Sequence, residues 1–197
     1  MDGISLLIEE HSNIQRMLKV IKIACLGLAK GAEVNLYDFD EMIDFIVNYE
    51  NRHHQYKEEK FLFKKILNEI EFTGDGLNKN GVFNEHELGR KYIEKLQVAL
   101  SKVRNGDDYG KIEVISTFML YIKLISKHVS KEENSIYFFA NQKLPKEILD
   151  KFNDECYYFE KEAIIVGLQY KYIKVLEVLE KKYLKPLEKV VDNEYII

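Results

Sequence analysis

The sequence predicts an all-α protein, an antiparallel up-down four-helix bundle with an additional C-terminal helical segment. Three observations carry this. Apolar residues recur at three- and four-residue steps through most of the chain, the period of a helix that buries one face. Only 2 prolines and 10 glycines occur in 197 residues, too few breakers for a turn-rich β architecture. The breaks that do occur are mostly short, and short connections leave long helices as antiparallel neighbours.

The first helix carries Ile4, Leu7, Ile8, His11, Ile14, Leu18, Ile21 and Cys25 on one face and stops near Gly31. A second starts around Asp38, a good N-cap, and carries Met42, Phe45, Ile46, Tyr49, Phe61, Leu62, Ile66 and Ile70. The stretch from Phe72 to Gly81 has the clearest loop composition. A third helix follows from Asn84 to Arg104, and a tight break at residues 105–108 leads into a fourth from Tyr109 to Ala140. Pro145 suits the first residue of a fifth helix, which runs to Tyr183 with one interior glycine, Gly167, and an apolar stripe of Phe152, Phe159, Ile164, Leu168, Tyr172, Val175 and Leu179. We expect residues 1–142 to form the bundle and 143–197 an extension packed on it within one structural domain. The tail from Val190 would dock on the bundle or on another subunit.

Hydrophobic residues at 46% and charged residues at 31% exclude a disordered chain. A net charge of −4 gives no basic footprint, so nucleic acid is not an expected partner. Two cysteines, Cys25 and Cys156, fit a reducing compartment. Residues 1–5 lack the positive start of a secretory signal, and no apolar run approaches the roughly 18 residues of a membrane span. The expectation is a cytoplasmic protein without a membrane partner.

The histidines carry the most information. There are five, His11, His53, His54, His86 and His128, and each expected bundle helix places one in line with its apolar face. His54 is followed one turn on by Glu58, and His128 by Glu132, spacings that put both side chains on one side of a helix. At 1.5 Å per residue, His11 and the His54–Glu58 turn both lie roughly 27–29 Å from the connection they share. His86 and His128 agree to within a turn, and a dozen-residue loop is long enough to bring the two pairs level. Four imidazoles and two carboxylates at one level suit a pair of iron or manganese ions better than a thiolate-loving metal. The alternative is a polar core whose histidines only hydrogen-bond to one another.

The residues around these histidines resemble a known family. Leu7-Ile-Glu-Glu-His11-Ser-Asn-Ile14 resembles the first-helix motif of hemerythrin-like (HHE) proteins. His54-Gln-Tyr-Lys-Glu58-Glu59, with Leu62-Phe63, is similar to the second-helix signature His-His-Gly-Lys-Glu-Glu-x-x-Leu-Phe. Glu85-His-Glu-Leu-Gly-Arg90 resembles a third-helix motif of one bacterial branch, and His128-Val-Ser-Lys-Glu132 the fourth-helix His-x-x-Lys-Glu. The resemblance implies a non-haem di-iron centre with an oxo or hydroxo bridge, manganese being an alternative metal. Its ligands would be His11, His54, His86 and His128, with Glu58 and Glu132 as bridging carboxylates. In this register His53 falls outside the ligand set, as a residue behind it or on the surface. Glu59 and Glu133 lie one position past the ligands, Glu133 remaining a possible substitute for its neighbour.

Oxygen-carrying hemerythrins use five histidines, and neither Val82 nor Arg90, one turn from His86, can supply a fifth here. Either both irons keep an open position, or Tyr121, Glu160 or Glu162 completes one. The resemblance thus points to a protein that binds or reacts with dioxygen, nitric oxide or peroxide in oxidative or nitrosative stress or its sensing. Iron handling or iron–sulfur centre repair is one alternative, and a metal- or oxygen-responsive signalling or structural bundle another. Glu10 and Glu85 are expected to tune the histidines beside them, and Arg90 to balance the site's charge or cap a bundle-end salt bridge. Lys57 and Lys131 should snorkel outward, with Tyr49, Phe118 and Tyr121 packing around the site.

Overall fold

The computed structural model describes residues 1–69 and 81–185. The expected Phe72–Gly81 loop, apart from Gly81 itself, and the tail from Val190 lie outside the described residues. The described chain is helical and holds six helices: α1 (Gly3–Ala29), α2 (residues 36–69), α3 (Gly81–Arg104), α4 (residues 109–143), α5 (Lys146–Ile165) and α6 (Leu168–Tyr183). The first four form the bundle, with α1 packed on α4, α4 on α3 and α3 on α2. No described helix is long and apolar enough to cross a membrane.

Side chains that compete with backbone bonding set the helix starts. Asp2 caps α1, its carboxylate accepting from the Ile4 N–H at 3.1 Å. α2 begins at Leu36, two residues before the expected start, because Asn35 rather than Asp38 is the cap; its side chain accepts the Asp38 N–H at 3.2 Å. Pro145 caps α5 from outside rather than serving as its first residue. Gly110 lets the start of α4 approach the end of α3: a β-carbon there would fall 2.9 Å from the Ala99 carbonyl oxygen.

Two features depart from simple helical periodicity. α2 is π-helical over Ile46–His54 and Glu58–Leu62, and α4 over Glu132–Tyr137. The expected fifth helix is two, because Gly167 adopts φ +67°, a left-handed conformation that glycine enters freely and that a continuous helix cannot contain. The bend lets α5 and α6 follow the groove between α1 and α2 along its length. The Gly3 N–H donates to Asn153 Oδ1 at 2.8 Å, and Arg16 donates twice to Glu180, at 2.9 and 2.7 Å. Lys65 pairs with Glu155 on the α2 side, and the Tyr172 hydroxyl reaches Asp44 at 2.9 Å. Ile8 and Ile164, expected on buried stripes, face solvent instead.

The apolar core is divided. One cluster includes Ile14, Leu18, Tyr49, Ile93, Phe118 and Ile125, and the other Leu7, Leu62, Phe63, Val82, Ile136 and Tyr137. On α1 a polar layer of Glu10 and His11 lies between Leu7 and Ile14, and each of the other bundle helices changes cluster across its own charged residues.

Asp44 ties the C-terminal arm to α2, accepting from Lys171 and Tyr172, each at 2.9 Å, and from Asn48 at 2.6 Å. Burial works to raise its pKa, but these donors and the Lys171 charge hold it below the usual value. The contacts therefore stabilise the fold above the unfolded carboxyl pKa of about 3.9 and are lost as pH falls through the lower folded value. Asp44→Asn is expected to flatten the acid limb of a stability-versus-pH curve, measured by urea unfolding between pH 5 and pH 2.

Candidate metal centre

Four bundle helices each direct one imidazole into the polar layer, and α2 and α4 add a carboxylate one turn further on. His11, His54, Glu58, His86, His128 and Glu132 are all at most 3% exposed. Potential ligand atoms of His11, His54, Glu58 and Glu132 lie within 4.8 Å of one another, as do those of Glu58, His86, His128 and Glu132. The two groups share both carboxylates, so the six expected residues are brought together as two neighbouring ion-sized positions.

The carboxylate oxygens divide between these positions. Glu58 Oε1 lies 3.4 Å from His54 Nε2 and 3.8 Å from His11 Nε2, while its Oε2 lies 3.5 Å from His86 Nε2. Glu132 Oε2 lies 3.3 Å from His11 Nε2, and its Oε1 3.2 Å from His128 Nε2 and 3.8 Å from His86 Nε2. Ring centroids are 4.6 Å apart within the His11–His54 pair and within the His86–His128 pair.

The outer nitrogen of every imidazole is held. His54 Nδ1 donates to Glu10 at 2.9 Å, His86 Nδ1 to Glu59 at 2.7 Å, His128 Nδ1 to Glu85 at 2.9 Å and His11 Nδ1 to Glu133 at 3.1 Å. An ionised carboxylate only accepts, so each bond places a proton on Nδ1 and turns the Nε2 position inward. The four bonds form a closed ring in which each helix braces the histidine of the next: α1 to α2, α2 to α3, α3 to α4, and α4 back to α1. Glu10 and Glu85 therefore act on the histidine of the following helix, not on the histidine beside them in sequence. Glu59 and Glu133 belong to the same ring and are not members of either ligand group.

The inner atoms are short of partners. Glu58 Oε2 and both oxygens of Glu132 are buried without a hydrogen bond. An unsatisfied buried acceptor costs about 1–3 kcal/mol, more when charged. His86 Nε2 and His128 Nε2 face each other at 2.8 Å. That is close to the roughly 3 Å between two nitrogen ligands at right angles on one ion with bonds of about 2.1 Å. Burial pushes the Glu132 carboxyl well above the usual range, and the neighbouring Glu58 charge adds to this. Burial opposes ionisation of Glu58 too, but the His54 charge and hydrogen bond, with the neighbouring His86 adding to them, hold it well below its ordinary value. Burial likewise pushes His11 down to about 3, with His54 adding to the effect, which leaves His11 a neutral donor. The donor set, the orphaned oxygens and the fixed tautomers all fit divalent cations.

A scan of family models matches the hemerythrin HHE cation-binding domain over residues 2–139. The chain belongs to this family. Its hemerythrin-like bundle thus coincides with the matched segment, and metal-cation binding is the property the family shares. No curated protein and no solved structure matches the chain significantly.

Within this hemerythrin fold, none of the expected extra ligands reaches the centre. Tyr121 donates its hydroxyl to Glu50 at 2.6 Å, and burial pushes Glu50 up to about 7. Glu160 belongs to a different cluster, and Glu162 is exposed. The phenol at the site is Tyr137, which the sequence reading missed. Its ring stacks on His11 at 5.3 Å, and its hydroxyl donates to Glu58 and lies 3.3 Å from His11 Nε2. Tyr137 is five residues past Glu132, about 140° away in an α-helix; the wider π-helical turn returns it to the same face.

Lys57 is a second correction. Far from snorkelling outward, it is fully buried and ion-paired to Glu10 and Glu160. His53 lies in the same cluster, 2.9 Å from the Lys57 ammonium, and not at the surface. Lys131 remains partly exposed, 3.4 Å from Glu85, and Arg90 donates to Glu59 at 2.6 Å, balancing the carboxylate that holds His86.

Removing an outer brace should cost metal affinity without emptying the core of ligands. Glu59→Ala and Glu85→Ala are each expected to weaken metal binding about 10- to 100-fold. Competition with a chelator of known affinity reads this out, and unchanged affinity in both would remove the ring from the account of the site.

Proposed function

We propose that this chain holds two non-haem iron ions, one by His11 and His54 and the other by His86 and His128, bridged by Glu58 and Glu132. We further propose that the centre binds or reacts with dioxygen, nitric oxide or peroxide in oxidative or nitrosative stress or in its sensing. The observation that carries the reading is the division of each central carboxylate between two imidazole pairs whose outer nitrogens are already occupied. Manganese fits the same donors. When bound, the metal pair supplies exchangeable electrons and coordination positions for a small ligand.

The protein's own groups shape what such a ligand meets. With two imidazoles per ion, each ion keeps room for an outside ligand, which favours reaction or sensing over reversible carriage. On the His11–His54 side the Tyr137 hydroxyl holds a proton against Glu58. On the other side the Phe63 ring stacks on His86 at 6.2 Å. Leu7, Leu62 and Ile136 are fully buried in the cluster next to the layer, and such dry walls strengthen the electrostatics within it and exclude bulk water.

The test is metal content by elemental analysis on protein grown with iron, with optical spectra before and after anaerobic reduction and re-exposure to oxygen. The expected result is about two irons per chain, with absorption that bleaches on reduction and changes on re-exposure. Glu58→Ala and Glu132→Ala should each lose at least one iron while far-UV circular dichroism stays helical. Absence of stoichiometric metal from the folded wild type, or full retention in both variants, would contradict the proposal.

A further inference from the structure

The four braces of the imidazole ring are not equivalent. Glu133, Glu59 and Glu85 keep 33%, 17% and 25% of their side chains exposed, whereas Glu10 keeps 1%. Solvent stabilises the first three charges. Glu10 needs compensation from the protein, since an ionised carboxylate without water or a partner is not tolerated. Burial works to raise its pKa, but hydrogen bonds from His53 and His54 and the Lys57 charge hold it well below the carboxylate range.

The compensating groups come from α2 and from the arm. Lys57 pairs with Glu10 and with Glu160 of α5, and it is as buried as either. Gln169, at the start of α6, donates to Glu10 at 3.2 Å and to Glu160 at 3.1 Å. His53 Nε2 closes the cluster at 2.9 Å from Glu160 and 3.2 Å from Glu10. The two arm residues lie on either side of the Gly167 bend, outside residues 2–139 that match the family. Glu10 Oε1 faces this cluster, and Oε2 holds His54 Nδ1.

We infer that the C-terminal arm positions the metal site: Glu160 and Gln169, through Lys57, fix Glu10 and hence the His54 ring, so that arm docking and metal binding at the His11–His54 position support each other. The inference rests on the two-metal reading above. By reciprocity, whatever factor the docked arm adds to metal affinity, bound metal adds to arm docking. Asn13 and Tyr49 also line this side of α1 and α2, but Asn13 donates to the Tyr49 hydroxyl at 3.0 Å rather than to Glu10.

A stepwise metal titration of the full chain, with ferrous or manganous ion alone, tests this on Glu160→Gln/Gln169→Leu. The expected result is that one of the two affinities falls about tenfold while the other stays within about twofold. Placed on a His54→Ala background, the double substitution should change the remaining affinity by less than about twofold, which ties the effect to His54. Arg16→Ala breaks an arm contact away from Glu10 while leaving Glu160 and Gln169 in place, and should lower the affinity of the His11–His54 position far less than the double substitution does. Limited proteolysis supplies the reciprocal readout, with cleavage in α5 and α6 slowed by metal in the wild type and indifferent to metal in the double variant. The inference is overturned if both affinities are unchanged, if both fall together, or if Arg16→Ala lowers the same affinity equally. A wild type that takes up no metal would show up before any variant is compared, and would remove the centre and this inference together.

Discussion

The structure depends on one constraint: four buried imidazoles must present Nε2 inward, which requires a fixed acceptor at each Nδ1. The bundle meets this with carboxylates on neighbouring helices, each adjacent in sequence to one of its own helix's inward residues. Glu10 precedes His11, Glu85 precedes His86, Glu59 follows Glu58 and Glu133 follows Glu132. One residue along a helix is a rotation of about 100°, enough to turn from the bundle axis to the next helix. Each helix thus carries one sideways brace beside an inward ligand, and the ring that results fixes the relative height of all four helices.

Two buried clusters of similar donors show what the centre lacks. Glu10, His53 and Glu160 surround the Lys57 ammonium, so their negative charge is met by the chain itself. Glu58 and Glu132 lie among four imidazoles with no lysine or arginine of the described residues paired to them, and three of their oxygens have no hydrogen-bond partner. Two carboxylates this close cannot both ionise without a cation between them. The chain closes one cluster with lysine, whereas the other has the unpartnered acceptors that a bound cation would satisfy.

Much of this was legible in the sequence, because helical period, histidine height and i, i+4 carboxylates are all one-dimensional signals. The four bundle helices and the meeting of the six central residues follow from them. What was missed has identifiable physical causes. Tyr137 lies in a π-helical turn, where a 3.6-residue wheel assigns the wrong face. Lys57 was expected outside because lysine is seldom buried, but it needs two acidic partners, one of them on a helix a hundred residues away. Tyr121 and Glu160, candidate metal ligands by sequence, each have a partner that only the packing reveals, Glu50 for one and Lys57 for the other. Gly167 lies within an apolar stripe that runs on unbroken past it, so only its positive φ reveals the bend that lays the arm along the groove.

The central claim is that Glu58 and Glu132 bridge two ions rather than enclosing one or none. Crystals of metal-loaded protein, with diffraction collected at the iron absorption edge, locate the ions directly. Two anomalous peaks are predicted, one beside His11 and His54 and one beside His86 and His128, with an oxygen of each carboxylate on both. A single peak, or none with the imidazoles bonded only to one another, would contradict it.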